Sequence, residues 1–186
     1  MHSKRRSPAY PSWLDQQLIW VERERTFARW MHRAAARAWV VRFLDVVSRI
    51  GDGWLWYVVI ACLPWAGGVH GASAAVRMIA VGAVDLVVYK IVKRWIARPR
   101  PYRTCPDIRA CARSLEEFSF TSGHTLHSVA FSLILTVYYP SMAFVVWPLT
   151  ALIAVSRVVL GLHYPSDVVV GALIGGITAA ISFNLL

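Results

Sequence analysis

Apolar residues fall in five long runs, 54–69, 72–92, 125–139, 142–162 and 168–186, after a polar and basic first quarter. Each approaches the roughly 20 residues that a helix needs to cross the hydrocarbon of a bilayer. Trp54, Trp56, Tyr57 and Trp65 lie near the ends of the first run, where aromatic rings anchor spans at the interface. The second run carries Arg77, Asp85 and Lys90, the third stops at Pro140, and the fourth is interrupted by Pro148 and by Ser156-Arg157. The last run has no charged residue.

Residues 13–50 follow another period. Arg25, Arg29, Arg33 and Arg37 recur every four positions beside Phe27, Trp30, Met31, Ala34, Ala38 and Trp39. A basic stripe flanked by bulky apolar side chains predicts one or two helices lying in the membrane interface, with a solvated helix face as the alternative. Residues 34–50 as a further span would carry Arg37, Arg42, Asp45 and Arg49 into lipid, which is expensive. The pattern therefore predicts an all-α chain: a polytopic membrane helix bundle of five to six transmembrane helices with an N-terminal amphipathic interfacial helix. The expected divisions are a basic flexible tail (1–12), an amphipathic interfacial segment (13–50) and a membrane domain (51–186).

Composition supports lipid as the solvent. Of 186 residues, 57% are hydrophobic and 16% charged, against roughly 25% charged in a soluble domain. The formal charge of +10 comes from Lys and Arg gathered in residues 1–50 and 90–113, with Arg77 and Arg157 apart. That distribution suits anionic membrane lipids as partners. It does not suit nucleic acid, since no base-reading module is visible. Residues 1–12 lack the apolar core of a signal peptide. Cys62, Cys105 and Cys111 make no zinc pattern. Cys62 sits in an apolar run; Cys105 and Cys111 share a polar loop, where a disulfide and two free thiols are both open.

Five spans would place the loop 93–123 and the segment 156–167 on one membrane face, so the polar clusters richest in chemistry would meet. Hydrolysis of a phosphate ester needs an oxyanion neutralised, a nucleophile, and a proton for the leaving oxygen. Lys93, Arg100 and Arg157 are cations close to that face, and arginine offers a planar fork suited to phosphate oxygens. Ser122-Gly123-His124 precedes an apolar helix, whose free N–H groups favour an anion. His163 has Asp167 four residues on, in the first turn of a helix begun by Pro165. A carboxylate there can fix the tautomer of the imidazole and leave its other nitrogen free to attack. Taken singly, a histidine at a helix end is more often a packing residue, and interfacial arginines more often touch headgroups.

Together these stretches resemble the type 2 phosphatidic acid phosphatase superfamily over roughly residues 50–186. Its pattern is a Lys, six residues, then Arg-Pro (here Lys93…Arg100-Pro101); Pro-Ser-Gly-His; and Ser-Arg, five residues, His, three residues, Asp (here Ser156-Arg157…His163…Asp167). The middle motif departs once, with Thr121 at the proline, a change that bears on loop rigidity more than on activity. The resemblance implies His163 as the nucleophile, Asp167 orienting it, and His124 protonating the leaving oxygen and then activating water. It implies Lys93, Arg100, Ser122, Gly123 and Arg157 as the phosphate-binding set, with no metal and no cofactor.

The implied substrate is a lipid phosphate or diphosphate, such as undecaprenyl diphosphate, phosphatidylglycerol phosphate, phosphatidic acid or a lipid A phosphate. The alternative from another class is a catalytically inactive lipid-phosphate-binding or scaffolding protein; the related soluble haloperoxidases are disfavoured by the five apolar runs. The family implies a bacterial inner membrane with the site on the periplasmic side. The positive-inside rule, applied to the basic N-terminal segment on the same face, favours the cytoplasm. Among the remaining polar residues, Arg77 is expected to snorkel to the far interface, and His127 to sit behind the site or in the core. Asp85 is open between a functional role and a structural pair with a neighbouring helix. The oligomeric state is left open.

Overall fold

The computed structural model describes residues 12–114 and 116–185, and side chains from residue 20 onward. The predicted basic tail lies, apart from Ser12, outside the described residues. The chain order is α1 (Ser12–His32), a 3-10 turn (Arg33–Ala36), α2 (Ala38–Ile50), α3 (Trp54–Ile96), α4 (Pro101–Thr104), α5 (Gly123–Tyr138), a second 3-10 turn (Pro140–Met142), α6 (Ala143–Val159) and α7 (Pro165–Leu185). No strand occurs among the described residues.

Helix α3 holds two of the apolar runs and is a hairpin. Its helical path breaks at Gly68 (φ 55°, ψ −135°), a backbone conformation that glycine adopts without steric penalty. The chain then folds back so tightly that a Cβ on Gly71 would lie 1.9 Å from the carbonyl oxygen of Leu63. Trp56 of the first arm thereby meets Met78 and Val81 of the second, and Phe131, Ile134 and Ala179 from α5 and α7 complete the core.

Helix α5 is central, and its contact with α7 sets the geometry of the site. Cβ atoms on Gly171 and Gly175 would fall 2.7 Å from the Ser122 carbonyl oxygen and 2.1 Å from that of Leu126. Small residues spaced by four let the two backbones touch, which brings the N-termini of α5 and α7 side by side. Val169, Leu173, Ile177 and Ile181 form the opposite, exposed stripe of α7. Two segments, Pro140–Val159 and Pro165–Leu185, are long and apolar enough to cross a membrane by length and composition.

Packing bears on four expectations. Helix α2 has 13 residues, about 20 Å at 1.5 Å per residue, short of a bilayer core of about 30 Å. It lays Leu44 against Val159, Leu160 and Leu162. Arg77 does not snorkel. It is 8% exposed, its Nε donates to the Tyr138 hydroxyl at 3.3 Å, a second nitrogen donates to the Ser182 carbonyl oxygen, and its guanidinium lies 4.4 Å over Phe183. The ends of α5 and α7 offer acceptors within reach, so the charge stays inside. Cys105 and Cys111 are free thiols, Cys105 buried beside Ala28, Ile108 and Tyr164. Asp85 accepts from the Thr178 hydroxyl of α7 at 2.7 Å, and its other oxygen has no partner among the described residues.

Candidate active site

At one end of the bundle, the α2–α3 turn, the end of α3, the loop after it, the start of α5 and the α6–α7 link surround a cavity of about 680 Å³. Lys93, Arg100, Gly123, His124, Arg157 and His163 all line it. Asp167 and Ser122 do not: both are fully buried directly behind the wall. The Ser122 N–H donates to the Asp167 carbonyl oxygen at 3.0 Å, and the Ser122 side chain caps α5 through Thr125. The Ser122 hydroxyl is thus engaged in helix capping. Thr121, at the motif's proline position, is also fully buried. His127 lines the cavity as well, with Nδ1 2.9 Å from the Gly123 carbonyl oxygen.

His163 sits in the five-residue link between α6 and α7. Gly161 makes the link possible: its φ is +76°, and a Cβ there would lie 2.5 Å from the Arg109 carbonyl oxygen. The His163 N–H donates to the Arg157 carbonyl oxygen at 3.1 Å, fixing the backbone over the end of α6. The imidazole is 2% exposed. Its Nδ1 faces Asp167 Oδ2 at 3.6 Å, and its Nε2 lies 3.3 Å from an Arg100 amino nitrogen. Asp167 occupies the first turn of α7, where Oδ2 accepts the Tyr164 N–H at 2.8 Å and Oδ1 accepts from Arg98 at 2.9 Å. The reciprocal bonding of Tyr164 and Asp167 is a helix cap, so the helix that starts at Pro165 also sets the carboxylate.

The cations are held differently. Arg100 is anchored by carbonyl oxygens of Glu116 (3.0 Å) and Leu162 (2.8 Å). Lys93 pairs with the Glu116 carboxylate. Arg157 donates to the Ser48 hydroxyl, while its Nε has no partner among the described residues. His124 Nε2 is bonded to Asp52, which stands between two glycines in the α2–α3 turn.

Burial, then the charges of Arg157, Arg100 and Lys93, hold His163 well below its ordinary 6.5. It is a neutral imidazole at pH 7, with a lone pair to offer. Burial opposes ionisation of Asp52, but the hydrogen bond and charge of His124 and the charges of Arg157 and Arg49 outweigh it, so Asp52 stays a carboxylate. Glu116 behaves likewise, with Lys93 as its main stabiliser.

Sequence reasoning passed over Arg98, Asp52 and Glu116. Arg98 was visible only as part of the basic Arg-Pro-Arg-Pro run, Asp52 only as an acid between glycines, and Glu116 only as an acid in a basic loop.

Buried cations around two histidines, at the end of an all-helical and largely apolar scaffold, are the parts of a receptor for an anionic group at a membrane. The chain belongs to the PAP2 superfamily, whose family model matches residues 71–186. It is 32% identical over 142 residues to the decaprenylphosphoryl-5-phosphoribose phosphatase of Mycolicibacterium smegmatis, covering 74% of each chain. In fold it is similar to LpxE of Aquifex aeolicus, with a TM-score of 0.75 and 22% identity over 86% of this chain and 93% of that one. It is also similar to a transmembrane PAP2-type phosphatidylglycerolphosphate phosphatase from Bacillus subtilis, with a TM-score of 0.68 and 19% identity over 86% and 84%. These likenesses and the two apolar helices indicate a membrane-associated member of a family that includes lipid phosphatases.

Proposed function

We propose that the protein is a membrane-embedded lipid phosphatase that cleaves a terminal phosphate through a phosphohistidine at His163. One observation carries the reading. His163 and His124 open onto the same cavity as Lys93, Arg100 and Arg157, while the rest of that cavity is walled by apolar residues of α3 such as Ile60, Met78 and Leu86. A charged headgroup fits the first part and an alkyl or prenyl chain the second.

In this reading Nε2 of neutral His163 attacks phosphorus. The N–P bond forms as the bond to the lipid oxygen breaks, and His124 gives that oxygen its proton. Water then attacks the phosphohistidine, His124 takes a proton from it, and phosphate leaves. Arg100, Arg157, Lys93 and the N–H groups at the start of α5 stabilise the charge on the phosphoryl oxygens. Asp167 accepts a hydrogen bond from the Nδ1–H of His163, the 3.6 Å gap closing with a small turn of the ring. No step is assigned to a metal.

The substrate class follows from likeness. The relative that acts on decaprenylphosphoryl-5-phosphoribose favours a phosphomonoester on a prenyl-linked group, ahead of undecaprenyl diphosphate, phosphatidylglycerol phosphate and phosphatidic acid. Five spans, made by the two arms of α3 with α5, α6 and α7, would leave α1 and α2 at the interface on the face of the site. That face is assigned to the outside of the cell.

Phosphate release by the detergent-purified chain, with EDTA present, against those four lipids tests the reading. Release from the prenyl-linked phosphomonoester, lost in His163→Ala, is expected; no release from any of them by folded wild type would sink it. Cys111, half-buried where Cys105 is buried, reports the face. In a Cys62→Ser background an impermeant thiol reagent should label it on intact cells, and labelling only after lysis would place the site inside.

A further inference from the structure

Helix α1 lies outside the part of the chain matched to the family, yet it reaches the residues around His163. Glu24, Ala28 and His32, spaced by four, face the protein, whereas Trp20, Phe27 and Trp30 are exposed. The two polar members of that inner face grip the two helix ends that bracket the His163 link. At the last turn of α6, His32 Nδ1 lies 2.8 Å from the Val159 carbonyl oxygen, and its Nε2 accepts the Arg109 N–H at 3.2 Å. That second bond assigns the ring proton to Nδ1.

Glu24 grips the other end. Its Oε1 accepts the Ser166 N–H at 2.9 Å, in the first turn of α7, and its Oε2 accepts from Arg98 at 2.6 Å. Another Arg98 nitrogen donates to Asp167 Oδ1 at 2.9 Å and to the Ser166 hydroxyl at 2.7 Å, and the guanidinium lies 3.9 Å over the Tyr164 ring. One planar cation thus spans two carboxylates, and its fork fixes their separation. Glu24 also supplies an acceptor to an N–H that has none within its own helix, at the end where a negative charge is favoured.

We propose that Glu24 is a positioning residue for the reaction at His163, acting through Arg98 and Asp167, and that α1 clamps the link carrying the nucleophile. The proposal rests on the reading of His163 as nucleophile. Asp167 has one oxygen committed to the Tyr164 N–H and the other to Arg98. Its aim at His163 is therefore set partly from outside the family-matched region. Releasing Glu24 frees Arg98 to swing and removes the external cap of α7, and both changes loosen the carboxylate that orients the imidazole.

Turnover of decaprenylphosphoryl-5-phosphoribose by the full chain in detergent tests this, comparing wild type, Glu24→Ala, Glu24→Gln, Arg98→Ala and the Glu24→Ala/Arg98→Ala pair. Glu24→Ala should lower kcat about tenfold with KM within about twofold, because the loss falls on the transition state and not on lipid binding. Glu24→Gln, which keeps an acceptor for the Ser166 N–H, should lose about threefold, and it carries the same reading if the alanine variant fails to fold. In the Arg98→Ala background the Glu24→Ala change should cost less than about twofold more, as members of one chain couple. A kcat for Glu24→Ala within twofold of wild type, or effects that multiply, would overturn the proposal. If wild type turns over no lipid, it is the phosphatase reading that has failed. Amide exchange then decides the clamp: faster exchange at Ser166 in Glu24→Ala upholds it, and unchanged exchange overturns it.

Discussion

Two arginines are buried between helices at opposite ends of this bundle, and the protein treats them differently. Arg77 has its donors met by the Tyr138 hydroxyl and by Ser182, with Phe183 beneath its plane. Arg157 has the Ser48 hydroxyl alone, keeps an unpartnered Nε, and opens onto the cavity. Buried donors in folded proteins are nearly always satisfied. Arg77 is closed by the fold, and Arg157 is left for an acceptor the fold does not supply. His163 lines the same cavity as Arg157. The comparison teaches that charge and burial alone do not mark a site; of these two arginines, the one with an unpartnered donor is the one that opens onto the cavity.

The sharpest way to break the comparison is at the site itself. His163→Ala should lower kcat by at least about 10³-fold with the folded protein intact, as loss of a nucleophile does. Next come the two arginines in parallel. Arg157→Ala should lower kcat/KM about 10²-fold, the usual effect of removing one donor from a developing oxyanion, with Tm within about 2 °C of wild type. Arg77→Ala should do the reverse, leaving activity within about twofold while costing about 1–3 kcal/mol of stability, since it strips a closed polar cluster. Thermal unfolding and steady-state kinetics on both proteins check the pair, and equal effects on activity would erase the distinction.

A smaller effect is expected at Asp52. Asp52→Asn keeps the shape but removes the carboxylate that holds His124, so kcat should fall about tenfold, with the loss growing towards high pH, where His124 no longer keeps its proton.

The smallest effect is on stability against pH. His163 binds its proton well below 6.5 in the folded protein because of burial and the nearby arginines, whereas the unfolded chain takes one up near 6.5. The unfolded state therefore binds more protons in that window. The folded state is favoured above 6.5 and loses ground as pH falls below it. Tm scans of wild type should show this decline, His163→Ala should flatten part of it, and Arg77→Ala should leave its slope unchanged.

Much of this was legible in the sequence because the signals were local. The five apolar runs are largely helical, and the break between the first two falls at Gly68, just inside the end of the first run. Lys93, Arg100, Gly123, His124, Arg157 and His163 line one cavity, the meeting of polar clusters expected from the number of apolar runs between them. What was not legible depends on residues far apart. Glu24 meets Ser166 across 142 positions, Asp52 meets His124 across 72, and Arg98 meets Asp167 across 69. No period along the chain encodes such pairings; they arise when α1 and α2 fold back over the end of the bundle. The capping role of the Ser122 side chain was not legible for a related reason. That side chain had to choose between ligand and helix cap, and the close packing of Gly171 and Gly175 on α5 leaves it facing the cap.

The account stands on a phosphoryl group passing through His163. Rapid quenching of the wild type during turnover of lipid substrate radiolabelled in the terminal phosphate, beside His163→Ala, tests this most directly. The account predicts label on His163, stable to base and lost in acid. Turnover by wild type with no labelled protein at any quench time, or label on another residue, would contradict it.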